Sequence, residues 1–534
     1  MSKKLIKSGL IVSAMTLISR VLGLVRDVVI ANVMGAGAMA DVFLFANKIP
    51  NFFRRLFAEG AFAQAFVPVL SEYHTKDEAS QNDSLEHTRR LIAQASGTLG
   101  VIITGVTLFG MLASPLFVML FGFGWFIDWF NSDGLVTEGA QKFDLASNLL
   151  KITFPYLWFI SFTALAGAVL NTMGRFAVAA FTPVLLNVAI IIMAIYGAQY
   201  TQSPAHALAW GVFLGGLIQF LFQIPFLYKA NVLVKPKWAW HSKGVQKIRK
   251  LIIPALFGVS VTQINLLLDT LIATMLITGS ISWLYYADRL LEFPLGLFGI
   301  GIATVVLPSL SKLHSKNSPE EFSDTIDWGL KVVSFFGWPA LAGLMVLAQP
   351  IIMILFMRGE FTTTDVVQVS MALFAYLSGL LSFMFIKILA PGYYARQDTK
   401  TPVKIGIKAM AANMVFNIML APFFGYVGLA IATTMSATLN AWLLYRGLKQ
   451  AGVYQLSKST VLFLCKLMLS AGVMASVVYA LSYDFDTWLE MTFIEQVQHL
   501  VICIAGGCFS YFLCVALLGI RFSDFKVSAQ KSAP

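Results

Sequence analysis

The chain has 534 residues, of which 58% are hydrophobic and only 12% charged, with a mean hydropathy of +0.76. No water-soluble globular domain carries that composition, and many apolar runs approach the roughly 20 residues a spanning helix needs, so the sequence reads as an all-α polytopic membrane protein. The formal charge of +11 does not indicate nucleic acid, because the basic residues are spread among short loops between apolar runs, as topology signals are.

Lys3, Lys4 and Lys7 precede the first apolar run, as in a signal peptide. That run continues into Arg20 and Arg26 without a small-residue processing site, so it reads as a retained first span. Fourteen transmembrane helices are predicted, over residues 9–33, 38–70, 90–121, 145–171, 179–198, 205–228, 250–277, 282–311, 328–349, 366–391, 403–421, 427–446, 459–481 and 496–519. With the N-terminus in the cytoplasm, 26 of the 38 basic residues fall in inside segments. The outside loops hold only Lys142 and Arg358, beside Asp128, Asp133, Glu138, Asp484, Asp486, Glu490 and Glu495. One missed span would invert every later loop, so this asymmetry supports the count and puts both termini in the cytoplasm. Cys465, Cys503, Cys508 and Cys514 lie in the last two spans with no CxxC pair or His partner, which excludes disulfide and zinc readings.

An internal repeat divides the chain. Pro68, Leu70, Ser71, His74 and Lys76 at the end of span 2 match Pro308, Leu310, Ser311, His314 and Lys316 at the end of span 8. Ala40-Asp41 matches Ala287-Asp288, and Thr182-Pro183-Val184 matches Thr401-Pro402-Val403. Offsets of about 220 to 247 residues fit spans 1–6 repeated as 7–12, in the same orientation because six is even. The expected organisation is an N-terminal lobe over 1–230, a C-terminal lobe over 231–450, and a final helix pair with a short cytoplasmic tail over 451–534.

Spans 1, 2 and 8 carry an anomaly. Arg20, Arg26, Asp27, Asp41, Lys48, Arg54, Arg55, Glu59, Asp288, Arg289 and Glu292 all lie at bilayer depth. Each charge there costs roughly 2.5 to 3.5 kcal/mol on insertion scales, so such a set survives facing a protein-lined, wet cavity. At 100° per residue Asp41, Lys48, Arg55 and Glu59 fall within about 40° of one another, although Pro50 should kink the helix between them. Arg54 points elsewhere. Arg289 can reach Glu292 at i,i+3. Mutual ion pairing accounts for some of these residues but not for the surplus of arginine, whose planar fork binds phosphate oxygens two at a time. The cavity is built for an anion.

At these residues the sequence resembles the MurJ/MviN family of the MOP exporter superfamily, through S19-R-V-L-G-L-V-R-D27, N51-F-F-R-R-L-F-A-E-G-A-F-A-Q-A-F-V-P68, W283-L-Y-Y-A-D-R-L-L-E-F-P294 and A390-P-G-Y-Y-A-R-Q-D-T-K-T-P-V403. The resemblance covers essentially the whole chain. It implies the MOP exporter fold, two six-helix lobes plus two C-terminal helices that form a lipid-tail groove. It also implies a lipid II flippase of the bacterial inner membrane, moving undecaprenyl-diphosphate-linked disaccharide-pentapeptide from the cytoplasmic to the periplasmic leaflet by alternating access. The family's cavity arginines correspond to Arg20, Arg26, Arg54 and Arg289, and its acidic partners include Asp27, Asp41, Glu59 and Glu292. The expected partners are lipid II and membrane lipids, with no nucleic acid, and the expected state is a monomer.

A second constellation is weaker. Asp269 lies mid-span 7, Asn413 and Asn417 share a face of span 11 at i,i+4, and Thr433 or Thr434 lies in span 12. Oxygen ligands of this kind suit a hard cation, sodium or a proton, and a hydrogen-bonded polar patch accounts for them as well. No other cofactor is expected. The sequence has no GxxxxGK[ST] motif, which agrees with a cycle driven by the membrane potential rather than by nucleotide. Among rival readings, a cation-coupled drug antiporter would want an acidic, aromatic cavity, whereas an O-antigen-unit flippase would share the architecture. A membrane glycosyltransferase would need catalytic carboxylates and a sizeable extramembrane domain, and a scaffold would not need arginines in the bilayer.

Overall fold

The computed structural model describes residues 3–56, 61–79, 85–132 and 135–525; among these there is no β-strand. The helices run α1 (Lys3–Met34), α2 (Ala38–Arg54), α3 (Ala61–Ala79), α4 (Glu86–Leu112), α5 (Ser114–Phe121), α6 (Phe123–Asn131), α7 (Glu138–Thr153), α8 (Pro155–Thr172), α9 (Phe176–Ile192), α10 (Pro204–Lys229) and α11 (Lys243–Ala273). They continue as α12 (Ser280–Pro294), α13 (Gly301–Ser315), α14 (Pro319–Phe356), α15 (Thr363–Leu377), α16 (Leu380–Tyr394), α17 (Lys400–Gln450), α18 (Lys458–Leu481), α19 (Phe485–Glu490) and α20 (Phe493–Leu517). Among the described residues nine helical spans are long and apolar enough to cross a membrane, or ten if the bent pair α15 and α16 is one span.

That number is smaller than fourteen partly because α17 is 51 residues long and is not one helix: Gly425 adopts φ 57° and ψ −137°. A straight helix of 27 residues would separate its ends by about 40 Å. The Ser436 hydroxyl instead donates to the Ala409 carbonyl at 2.7 Å, so the two halves fold back on each other as a hairpin. The predicted spans 403–421 and 427–446 are the arms of that hairpin. In the other direction, span 2 is interrupted by a π-helical turn at 55–56. Span 8 is interrupted by another at Leu295–Ile300, directly after Pro294. The two repeat-related helices therefore carry the same kind of break, the type of irregularity that recurs at functional sites.

The chain forms two compact units, Met1–Ser282 with Arg358–Phe361, and Trp283–Met357 with Thr362–Pro534. The first unit includes α11, which packs along α3 and α4. In the first unit, Phe66 and Leu70 of α3, Leu91 and Ile92 of α4, Val169 of α8 and Ile248 of α11 share one buried core. Asp77, at the end of α3, anchors the entry to α4. Its carboxylate accepts the Thr88 hydroxyl at 2.6 Å and amide at 2.8 Å, and the His87 amide at 3.2 Å. Burial works to raise its pKa, but those donors outweigh it and hold the carboxyl at about 2. In the second unit, Leu467, Ala471 and Val478 of α18 pack with Cys503 and Tyr511 of α20 and Leu347 of α14. The turn between α17 and α18 is tied to α14 by Asp327, which takes the Tyr454 hydroxyl at 2.9 Å, the Thr460 hydroxyl at 2.7 Å and the Lys331 ammonium at 2.8 Å.

The segment between α10 and α11 lies flat on α4. Lys237 N–H donates to the Ala93 carbonyl at 2.7 Å, and Ala239 N–H to the Thr98 hydroxyl at 3.3 Å. A Cβ on Gly97 would sit 2.3 Å from the Lys237 backbone, so only glycine permits this approach. Gly97→Ala is expected to destabilise the protein by about 2–4 kcal/mol, from overpacking plus the lost hydrogen bond. Gly425→Ala, where a Cβ meets nothing within 4 Å, should cost only the backbone strain, about 1–3 kcal/mol. Thermal unfolding of the detergent-purified chain checks the order, and equal melting temperatures would refute the close approach at Gly97. Because Asp77 titrates lower folded than unfolded, its contribution is fully present above about pH 4 and is lost as pH falls through about 2. Asp77→Asn should flatten that acid limb of a pH–stability profile.

Candidate functional site

In the first unit the charged stripe of α2 faces α11 and the turn that follows it. Asp41, 3% exposed, accepts Gly279 N–H at 2.7 Å, Ser282 N–H at 2.9 Å and the Ser282 hydroxyl at 2.6 Å. These amides open α12, so Asp41 serves as its N-cap from another helix. One to two turns further along α2, Lys48 donates to the Thr270 hydroxyl at 3.1 Å. Arg55 reaches the Gln263 side-chain carbonyl at 3.5 Å. The seven-residue spacing that predicted a common face is thus matched by a descending register from 279–282, in the turn and first residues of α12, through 270 to 263 of α11. Arg54 lies off that stripe and donates to Asn51 of its own helix at 2.9 Å. Glu59 lies outside the described residues.

On α1 the arginines are treated differently. Arg20 is exposed. Arg26, with 17% of its side chain exposed, holds Asp27 through Nη2 at 2.7 Å and Nε at 3.0 Å. Its Nη1 donates to the side-chain carbonyl of Asn187, on α9, at 3.0 Å. Asn187 in turn donates to the Ser19 carbonyl of α1 at 3.1 Å. The guanidinium is thereby oriented from two helices, while Asp27 is almost wholly buried.

In the second unit Arg289 of α12 lies over the Tyr285 ring at 4.9 Å. It donates to the Tyr285 hydroxyl at 3.3 Å and to Glu292 at 2.8 Å, the i,i+3 pair expected from the sequence. Asp288 and Glu292 are exposed. Trp283, at the start of this helix, donates to Asp365 at 2.9 Å, and the same carboxylate closes the capping box of α15 with Thr362.

The expected cation ligands divide between the units. Asp269 belongs to the first, where Asn265 donates to it at 3.4 Å. Asn413 and Asn417 are buried in the second, and the Thr433 hydroxyl turns back to the Leu429 carbonyl of its own helix at 2.9 Å. Among the described residues no group of three or more His, Cys, Asp or Glu could hold a metal ion. The residues that sequence reasoning missed are Asn187, Gln263, Thr270 and Ser282. Each is uncharged, and a polar residue in an apolar helix gives no sign of which charged group it serves.

The family model described as lipid II flippase MurJ matches residues 30–498. A Vibrio cholerae protein named "probable lipid II flippase MurJ" is 60% identical, covering 99% of each chain. A solved structure of lipid II flippase MurJ in an inward closed conformation aligns with TM-score 0.78 at 27% identity, over 95% of this chain and 98% of that one. A multidrug resistance MATE transporter of the MOP superfamily aligns with TM-score 0.64 at 12% identity, over 83% and 97%, which is a likeness of fold alone.

Replacing Asn187 by leucine removes the acceptor of Arg26 and the donor to Ser19. The expected loss is about 1–3 kcal/mol in thermal unfolding, and more if the arginine is left under-satisfied. Asn187→Gln, which keeps both functions on a longer arm, should lose less. A leucine variant as stable as the unmodified chain would show that α9 does not orient the guanidinium.

Proposed function

The chain belongs to the MurJ family of lipid II flippases, and from that premise we propose that it moves undecaprenyl-diphosphate-linked disaccharide-pentapeptide from the cytoplasmic to the periplasmic leaflet of the bacterial inner membrane by alternating access. It is a multi-pass transporter of that membrane, not an enzyme. One observation carries the reading beyond the name: Arg26 is held in place by Asp27 and Asn187 while remaining accessible on an apolar helix.

The diphosphate binds the guanidiniums of Arg20, Arg26, Arg54 and Arg289. Lys48 and Arg55 add positive potential, and Asp27, Asp41, Glu59, Asp288 and Glu292 position the bases and the helices that carry them. The charge of a diphosphate is what arginine forks match best. The repeat, the hairpin at Gly425 and the paired π-helical breaks support fourteen spans arranged as two six-helix lobes and a final pair. The loop asymmetry supports two cytoplasmic termini. The functional unit is a monomer, with lipid II and membrane lipids as its partners. The membrane potential biases export of an anion by about 2.3 kcal/mol per charge per 100 mV, and Asp269, Asn413, Asn417 and Thr433 bind the sodium ion or proton that completes the cycle.

In cells depleted of their own flippase, Arg20→Ala, Arg26→Ala and Arg289→Ala are each expected to fail to restore growth while remaining in the membrane. Lysine at the same positions should restore it in part. Full rescue by all three alanine variants would remove the arginine-based reading. Drug sensitivity that changes with expression, without rescue, would favour the antiporter. In sealed vesicles, lipid II export should rise with an inside-negative potential and fall several-fold in Asp269→Asn. Export indifferent to sodium, pH and that substitution would eliminate the cation.

A further inference from the structure

The first unit has a crevice that the transport reading does not use. It lies between α4 and α11, close to the connection that enters α11, and has a volume of about 150 Å³. Leu99, Ile102 and Ile103 of α4 and Val245, Ile248 and Ile252 of α11 line it, with Trp240 and Arg249 at its rim. A cavity of this kind stays dry and takes hydrocarbon. It is too small for a whole lipid, so it admits a stretch of one chain.

The rim has the opposite character. Between residues 229 and 250 the sequence carries Lys229, Lys235, Lys237, Lys243, Lys247, Arg249 and Lys250 and not one acidic residue. Among the described residues, the one of these that meets a carboxylate is Lys247, on Glu72. The Arg249 guanidinium carbon lies over the Trp240 ring, 4.3 Å from its centroid, and Trp240 stacks on Trp238 at 5.8 Å and 8°. Stacking fixes the plane of the fork and leaves its edges open to an anion. Trp238 is 57% exposed and Leu233 44%, among exposed lysines at 235 and 237. Indole beside lysine is the composition of a membrane–water boundary. The segment is also rigidly seated, since Lys237 and Ala239 bond to α4 and Gly97 admits their backbone.

We propose that this crevice is a binding site for an anionic diacyl phospholipid of the surrounding bilayer, with one acyl chain in the apolar cleft and the phosphate on Arg249 and its neighbouring lysines. Polybasic segments next to spanning helices attract anionic headgroups, and here a built cleft gives that attraction a fixed address. Leu56, next to Arg55, also lines the cleft, but the phosphate contact at Arg249 is not among the residues assigned to the cargo, so the site stands whether or not that assignment does.

Native mass spectrometry of the full chain in detergent, titrated with phosphatidylglycerol and with phosphatidylcholine of the same acyl chains, tests it without any cargo present. The expected result is a first phosphatidylglycerol bound about tenfold more tightly than phosphatidylcholine. Arg249→Gln should abolish that preference, Leu99→Trp should weaken both lipids by filling the cleft, and Lys235→Gln should change little. Equal affinity for the two lipids in the unmodified chain, or a preference that survives both Arg249→Gln and Leu99→Trp, would overturn the proposal. Because either variant could fold poorly, a phosphatidylglycerol with a diazirine in its acyl chain should also be photolysed on the unmodified protein. Labelling of residues 95–103 and 245–256 is expected, and labelling confined to other helices would refute the site.

Discussion

The structure is governed by the cost of keeping charge out of water. An ionised group in hydrocarbon must find a partner, a wet surface, or a ring of hydrogen bonds. The α2 stripe uses the last of these. Asp41, Lys48 and Arg55 take up backbone amides, hydroxyls and a glutamine carbonyl of the 243–282 segment. The consequence is architectural: α11 is drawn onto α2 and α3, and the chain's compact units part after Ser282.

Broken helices make the same cost tolerable elsewhere. A π-helical turn widens the helix and leaves backbone groups to be satisfied by neighbours, a burden that pays off where a side chain must be re-aimed. The turns at 55–56 and Leu295–Ile300 follow Arg54 and Pro294. They lie next to the charged stretches 41–55 and 288–292 in the two related helices. Pro50 signals a kink in the first of these, yet the break comes about one turn later, where the ladder weakened by proline and the long arginine side chains coincide.

Much of this could be read in the chain itself. Apolar runs separated by basic loops mark the helices, and the 41, 48, 55 spacing by itself puts three charges on one face. The Arg289–Glu292 pair follows from i,i+3 geometry. What could not be read were long-range choices between chemically equivalent partners. Asn187, 161 residues from Arg26, looks like any other polar residue near a proline. Thr270 donates to the Leu266 carbonyl of its own helix at 2.8 Å, as Thr433 does to Leu429, and nothing in the sequence marks it as also the acceptor for Lys48. The two arms in α17 were legible as separate apolar runs, 403–421 and 427–446, whereas the placement of 232–241 on α4 depends on a glycine, Gly97, that has no local reason to be one.

The accounting of charge differs for the two signs, and this difference gives the protein its electrostatic character. Acidic groups on α1 and α2 are consumed inside the structure: Asp27 is 2% exposed and Asp41 3%. Both do structural work, one steadying a guanidinium and the other capping a helix. The bases keep more of their surface, with Arg20 exposed and Arg26 partly so, and in the second unit Arg289 is 36% exposed beside Glu292. A carboxylate sealed by amide donors presents no charge to an incoming molecule at short range, while an accessible guanidinium presents a directed pair of donors. On α1, Arg20 is exposed, and Arg26, paired with Asp27, keeps 17% of its side chain exposed.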